Sequence, residues 1–154
     1  MPFTSRTSWR AKLEKPQERK LVPIPARMRK QCGEGTMLIP RPLDVDAEVR
    51  AVRRGRLITT GEIRRRLAKR FGANTACPLC TGIFLRIAAE AAEEDARAGR
   101  KQVTPWWRVV GQTGALNPKF PGGAAQQAKR LRAEGHRITF SADRAKASVV
   151  GFGA

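Results

Sequence analysis

Thr104-Pro105-Trp106-Trp107-Arg108-Val109-Val110-Gly111-Gln112-Thr113-Gly114-Ala115-Leu116-Asn117-Pro118-Lys119-Phe120-Pro121-Gly122-Gly123 joins two adjacent tryptophans and an arginine to a glycine-containing loop that ends on a glycine pair. A helix-like run, Ala124 to Glu134, follows, and then Gly135-His136-Arg137-Ile138. Adjacent indoles admit two readings. They are flat faces on which a base can stack, each such contact being worth about 1–3 kcal/mol, or they are core anchors whose ring nitrogens bond inward. At least one of the pair is expected to be structural.

Upstream of this stretch the pattern is helical. Asp44 or Asp46 is placed to cap a helix through about Arg53, with Gly55 ending it. Thr59 followed by Glu62 reads as a capping box, and Ile63, Leu67 and Phe71 line one face of a helix that Gly72 stops. After Gly72-Ala73-Asn74, Pro78 opens a longer helix to about Ala98, in which Leu79, Ile83, Ile87 and Ala91 recur at the helical period and Gly99 is the stop. Two helices across a tight glycine-containing turn form either a helix-turn-helix or a plain helical hairpin. Small residues at the leading end of the second helix (Thr75, Ala76, Cys77, Thr81, Gly82) favour close approach to a partner. Glu90, Glu93, Glu94 and Asp95 at its far end disfavour phosphate there.

The order and spacing of these motifs over roughly residues 40 to 138 resemble the alkylguanine-DNA alkyltransferases, whose active-site region reads Pro-Cys-His-Arg-Val, a loop ending Gly-Gly, and a helix ending Glu-Gly-His. Pro105, Arg108, Val109, Val110, Gly114, Gly122, Gly123, Glu134, Gly135 and His136 keep step with that pattern, and Thr59 to Ile63 is similar to the family's opening of its helix-turn-helix. Trp106 stands at the position of the alkyl-accepting cysteine and Trp107 at that of its histidine. An indole supplies neither thiolate nor base, so no alkyl transfer through this position is expected and no cofactor is implied. The chain is similar to the alkyltransferase-like branch, which has tryptophan for the cysteine, binds alkylated guanine without repairing it, and flags the lesion for nucleotide excision repair. Trp107 places it in a further offshoot.

Alternation in Arg137 to Phe140 and Ala147 to Phe152 around a polar Ser141 to Lys146 turn reads as a short carboxy-terminal β-hairpin or wing, and the resemblance implies a mainly α fold of the winged-helix type. It implies a lesion pocket from Pro105, Trp106, Trp107, Arg108, Asn117, Phe120, Gly122, Gly123 and Glu134, the last in a structural role. Phe120 stands where the family has tyrosine. Double-stranded DNA, plain or alkylated, would meet Thr60, Arg64, Arg65, Lys69, Arg70, Thr75, Leu79, Thr81, Gly82 and Arg86. Base flipping in the family uses an arginine on the second helix; the matching stretch Ala76 to Gly82 has none, which leaves Leu79 as an apolar wedge.

Composition agrees with a polyanionic partner. Thirty-one Lys and Arg against 13 Asp and Glu give a net charge of +18, spread along the chain. No apolar run approaches the ~20 residues that span a bilayer, so no membrane partner and a cytoplasmic address are expected; a monomer is expected alongside. Three cysteines exclude a disulfide framework. Cys77-Pro78-Leu79-Cys80 has no companion ligand pair for zinc, so no metal site is expected; a rival reading makes Cys77 or Cys80 an alternative alkyl acceptor. Residues 1 to 36, rich in Arg and Lys and broken by Lys15-Pro16 and Pro23-Ile24-Pro25, are expected to form a basic arm, with Trp9, Leu13 and Leu21 able to pin it to a domain over 37–154. A third reading makes the protein a general nucleic-acid adaptor acting through that arm.

Overall fold

The computed structural model describes residues 8–152; Arg6, part of the basic amino-terminal stretch, lies outside them. In chain order the elements are α1 (Trp9–Glu14), β1 (Lys20–Pro23), α2 (Arg29–Cys32), β2 (Thr36–Ile39), α3 (Pro42–Arg50), β3 (Ile58–Thr59), α4 (Thr60–Phe71), β4 (Thr75–Ala76), α5 (Pro78–Arg97), β5 (Val109–Val110), α6 (Gly123–Ala133), β6 (Ile138–Phe140) and β7 (Ala147–Val149). The protein is mainly α, with short strands in three small sheets. Among the described residues no helix is long and apolar enough to cross a membrane.

The 20-residue α5 is the axis of the fold, about 30 Å long at 1.5 Å per residue. Pro78 occupies its first turn, where a missing N–H costs nothing, and Cys77 caps it, with Sγ accepting from Cys80 N at 3.4 Å. Leu85, Ala89 and Ala92 meet Val45 and Val49 of α3 and Ile63 and Leu67 of α4 in the main core. Ala88, Ala89, Ala91 and Ala92 are all at most 1 % exposed, and their lack of bulk lets other helices approach the backbone of α5 closely.

The helix boundaries follow local chemistry. Thr59 caps α4 through Oγ1, which accepts from Glu62 N at 3.0 Å, and Gly72 closes it in the left-handed conformation at φ 72°. Glu62 does not reach back to complete the capping box; its carboxylate takes Arg65 and Arg66 instead. Helix α3 starts earlier than Asp44: Pro42 opens it, and Asp44 accepts from Arg41 N at 2.9 Å. Asp46 is no cap but a buried acceptor for Thr104 Oγ1 (2.6 Å) and Arg50 Nε (2.8 Å). Parallel pairing of β3 with β5, Ile58 opposite Val109, ties the start of α4 to the tryptophan motif. The carboxy-terminal β6–β7 hairpin pairs Ile138 with Val149 and packs on α6 through Leu131.

Two expectations are corrected. The amino-terminal stretch is more than a pinned arm: β1 pairs antiparallel with β2, Leu21 opposite Leu38, and the boundary expected at residue 36 falls inside that ladder. Leu13 and Ile24 are buried, whereas Leu21 is 53 % exposed and pins nothing. Trp9 N and Arg10 N donate to the two carboxylate oxygens of Glu94 at 2.8 and 2.9 Å, so α1 is clamped on α5. Secondly, the Leu79–Ile83–Ile87–Ala91 stripe is not one buried face. Helix α1 covers only its far half, where Leu13 packs on Ala88, Ala91 and Ile87; Leu79 and Ile83 stay 70 % and 49 % exposed.

Leu13→Ala removes the side chain that seats α1. It is expected to lower the unfolding free energy by about 2–4 kcal/mol in urea melts; a loss below about 0.5 kcal/mol would show that the amino-terminal segment is held by its clamp and not by packing.

Candidate nucleic-acid interface

The tryptophan motif turns inward. A short 3-10 turn, Trp106–Arg108, follows the buried Pro105 and puts the Trp106 ring in the core at 1 % exposure. Its edge meets Trp107 at 5.9 Å between centroids and Phe120 at 5.4 Å, both steeply inclined, and Nε1 donates to Glu93 Oε1 at 3.0 Å. Trp106 therefore offers no stacking face, which corrects the first of the two readings: a large ring with a satisfied N–H is an anchor. Phe120, 3 % exposed, is sealed with it. Trp107 is half-buried, and its Nε1 donates to Glu134 Oε2 at 2.8 Å.

Glu134 gathers the motif. It accepts from Trp107, from Arg108 through Nε (2.9 Å) and Nη2 (2.8 Å), and from Gly55 N (3.2 Å), while Arg108 Nη1 donates to Val52 O at 2.7 Å. Burial alone would raise the Glu134 carboxyl, but these donors outweigh it, Arg108 foremost, and hold it down at about 2. Arg108 is thereby spent on the fold and unavailable to a nucleotide. The adjacent His136 forms no catalytic pair with Glu134; its Nε2 is buried without a partner among the described residues.

The open part of the site lies elsewhere. A groove of about 680 Å³ runs between the leading end of α5 (Leu79, Gly82, Ile83, Arg86) and the loop Asn117-Pro118-Lys119, with Trp9 and Lys12 of α1 at its end. Asn117 is fixed at both sides, its N donating to Gln127 Oε1 (3.0 Å) and its Oδ1 accepting from Lys119 N (2.9 Å). The structure thus brings together Leu79, Gly82, Arg86 and Asn117 from the expected sets and adds Ile83, Lys12 and Lys119. Gly82 has open space where a Cβ would stand. Sequence reading missed Ile83 because its period matched a core stripe, and missed Lys12 and Trp9 because nothing local placed α1 beside α5. Gly122 and Gly123 take φ 74° and 70° to turn the loop into α6 and do not line this groove.

Several expected phosphate contacts are internal. Arg64 donates to Ala76 O (2.9 Å) and Thr75 Oγ1 (3.1 Å), bracing α4 on β4, and the Thr81 hydroxyl is buried on Cys77 O at 2.7 Å. Arg65 shares Glu62, and Arg70 lies 3.6 Å from Glu48 and over the Phe71 ring. Lys69 is exposed, and Thr60 is half-buried beside the Val109–Phe120 loop. Cys77 is buried, and burial together with the neighbouring Cys77 pushes the Cys80 thiol up to about 11. A thiol held protonated is a poor nucleophile, which argues against the rival alkyl acceptor. Among the described residues no His, Cys, Asp and Glu side chains form a group of three or more able to hold a metal ion.

The Glu134 carboxylate sits below the ordinary range near 4.5, so its stabilisation is complete above that pH and is lost as pH falls towards 2. Glu134→Gln is expected to cost about 3 kcal/mol at pH 7, and the gap between variant and parent should close in melts taken from pH 4.5 downwards. A gap independent of pH would remove the ion pair from this account.

No family model matches the chain, and no curated protein matches it. Among solved structures, the chain is similar to S. pombe Atl1, crystallised in complex with damaged DNA containing O6-carboxymethylguanine, at 19% identity over 70% of this chain and 85% of that one, with a TM-score of 0.48.

Proposed function

We propose that this protein binds duplex DNA without chemistry, laying the leading end of α5 against it. The observation that carries the reading is the exposed apolar ridge of Leu79 and Ile83, 70 % and 49 % exposed, on the second helix across a tight turn, with Lys12, Arg86 and Lys119 beside the same groove. Water-exposed leucine and isoleucine one turn apart are costly on a free surface and suit a partner that is apolar inside and anionic outside. A duplex minor groove, with stacked bases between two phosphate rails, has that distribution. The net charge of +18 supports it.

In this reading Leu79 is the wedge, and the groove, not the Trp106 seat, receives an extruded base. Asn117 Nδ2, without a hydrogen-bond partner among the described residues, is the donor for a base-edge oxygen such as that of an alkylated guanine. The β6–β7 hairpin serves as the wing of a winged helix, with the exposed Arg144 and Lys146 at its tip. Handing the lesion to nucleotide excision repair proteins, a monomeric state and a cytoplasmic address belong to the same proposal.

Fluorescence anisotropy with plain and O6-methylguanine duplexes, across a salt series, tests it. Affinity is expected to fall steeply with salt, and Leu79→Ala to weaken binding about tenfold, as loss of an apolar contact of ~1–2 kcal/mol requires, without lowering the melting temperature. Equal affinity for both duplexes would leave a general DNA binder; salt-independent or absent binding would end the DNA reading. Intact-mass measurement after incubation with alkylated DNA is expected to show no added alkyl group, and an adduct on Cys77 or Cys80 would make the protein an enzyme.

A further inference from the structure

The far end of α5 reads as acidic in sequence, with Glu90, Glu93, Glu94 and Asp95 in a row. The fold turns three of these carboxylates inward. Glu93 accepts from Trp106 Nε1 and Arg130 Nη2, Glu94 takes the backbone N–H groups of Trp9 and Arg10, and Asp95, 6 % exposed, is paired with the Arg10 guanidinium. Only Glu90, two turns earlier than Arg97 and half-buried, has no partner among the described residues. What faces solvent at this end is Arg97, Arg100 and Lys101.

A second basic loop meets this end at Lys101. Residues 50–56 read Arg-Ala-Val-Arg-Arg-Gly-Arg, with all four arginines exposed. Arg50 and Lys101 line one cleft of about 320 Å³, with Gln102, Pro105 and the half-buried Trp107 between them. The nearest carboxylates are consumed: Asp46 by Thr104 and Arg50, Glu134 by Arg108, Trp107 and Gly55. No acidic residue occurs in 50–57 or 97–108. Arg50 is neutralised by Asp46 and Arg54 donates to Ala133 O, but Arg53, Arg54, Arg56, Arg97, Arg100 and Lys101 have no carboxylate partner among the described residues, and self-repulsion among them favours a ligand that carries several negative charges at fixed spacing.

We infer that this end of the protein is a second site for the phosphate backbone of nucleic acid, so that one chain holds two duplex segments. The proposal rests on α5 as the first site. Eighteen residues separate Leu79 from Arg97, about 27 Å along the helix, more than the ~20 Å width of a duplex. A segment that crosses α5 at its leading end therefore does not reach the far end, and a second segment does.

The test is stoichiometry by sedimentation velocity, using the full chain with an excess of a labelled duplex of about 12 base pairs, a little over one helical turn, at low salt. Two double variants accompany the parent, each first shown to melt like it: Arg97→Glu with Lys101→Glu, and Lys12→Glu with Lys119→Glu. Two duplexes per chain for the parent and one for each variant is the expected result. One duplex on the parent, retained in full by the Arg97/Lys101 variant, overturns the second site and leaves the α5 reading standing. One duplex lost in that variant but kept in the Lys12/Lys119 variant establishes the far-end site and overturns the α5 reading. No duplex on the parent sinks both.

Discussion

The side-chain amide of Gln127 holds the functional half of the molecule together. It is fully buried on α6, where Nε2 donates to Trp107 O (3.1 Å) and Val109 O (2.7 Å) and Oε1 accepts from Asn117 N (3.0 Å). One amide thus pins both ends of the loop that separates the tryptophans from the groove. A buried amide with its donor and acceptor matched is stabilising, whereas a mismatch leaves backbone groups unsatisfied in a low dielectric, at about 1–3 kcal/mol each. The placing of Asn117 and Lys119 opposite α5 follows from this constraint, and so does the inward turn of Trp106.

An indole at position 106 has a structural consequence. The ring fills the core beside Phe120 and recruits Glu93 and, through it, Arg130, whose guanidinium also lies 4.6 Å from the Trp107 ring centre. The polar groups around the motif are correspondingly bound to one another: Glu134, Arg108, Glu93 and Arg130 form closed pairs in a half-buried setting. These groups satisfy one another in advance, while Leu79 and Ile83 at the leading end of α5 stay exposed.

Much of the fold was legible in the residues because it is local. Thr59 and Gly72 delimit α4, Pro78 opens α5, and the hairpin around residues 141–146 announces itself by alternation; each signal acts within a few residues. The site was less legible because its decisive contacts are distant in sequence. Periodicity finds an apolar stripe such as Leu79, Ile83, Ile87 and Ala91, but which part is covered depends on α1, more than 60 residues away. Charge counting finds Arg64 beside its arginine neighbours, but only the turn of β4 past α4 shows that its guanidinium is spent on Ala76 O and Thr75. The acidic run at the end of α5 misled for the same reason, since a carboxylate's sequence neighbours do not reveal where it points.

The clamp between α1 and Glu94 joins residues 85 positions apart, and this imposes an order on events at the ribosome. The β1–β2 ladder can close early because its partners are near in the chain, yet Leu13 has nothing to bury against until α5 has been made. At ordinary elongation rates that interval is on the order of ten seconds. Throughout it the Trp9–Glu14 segment lacks its seat, and six residues alone do not hold a helix, so α1 takes shape only once α5 is there to receive it.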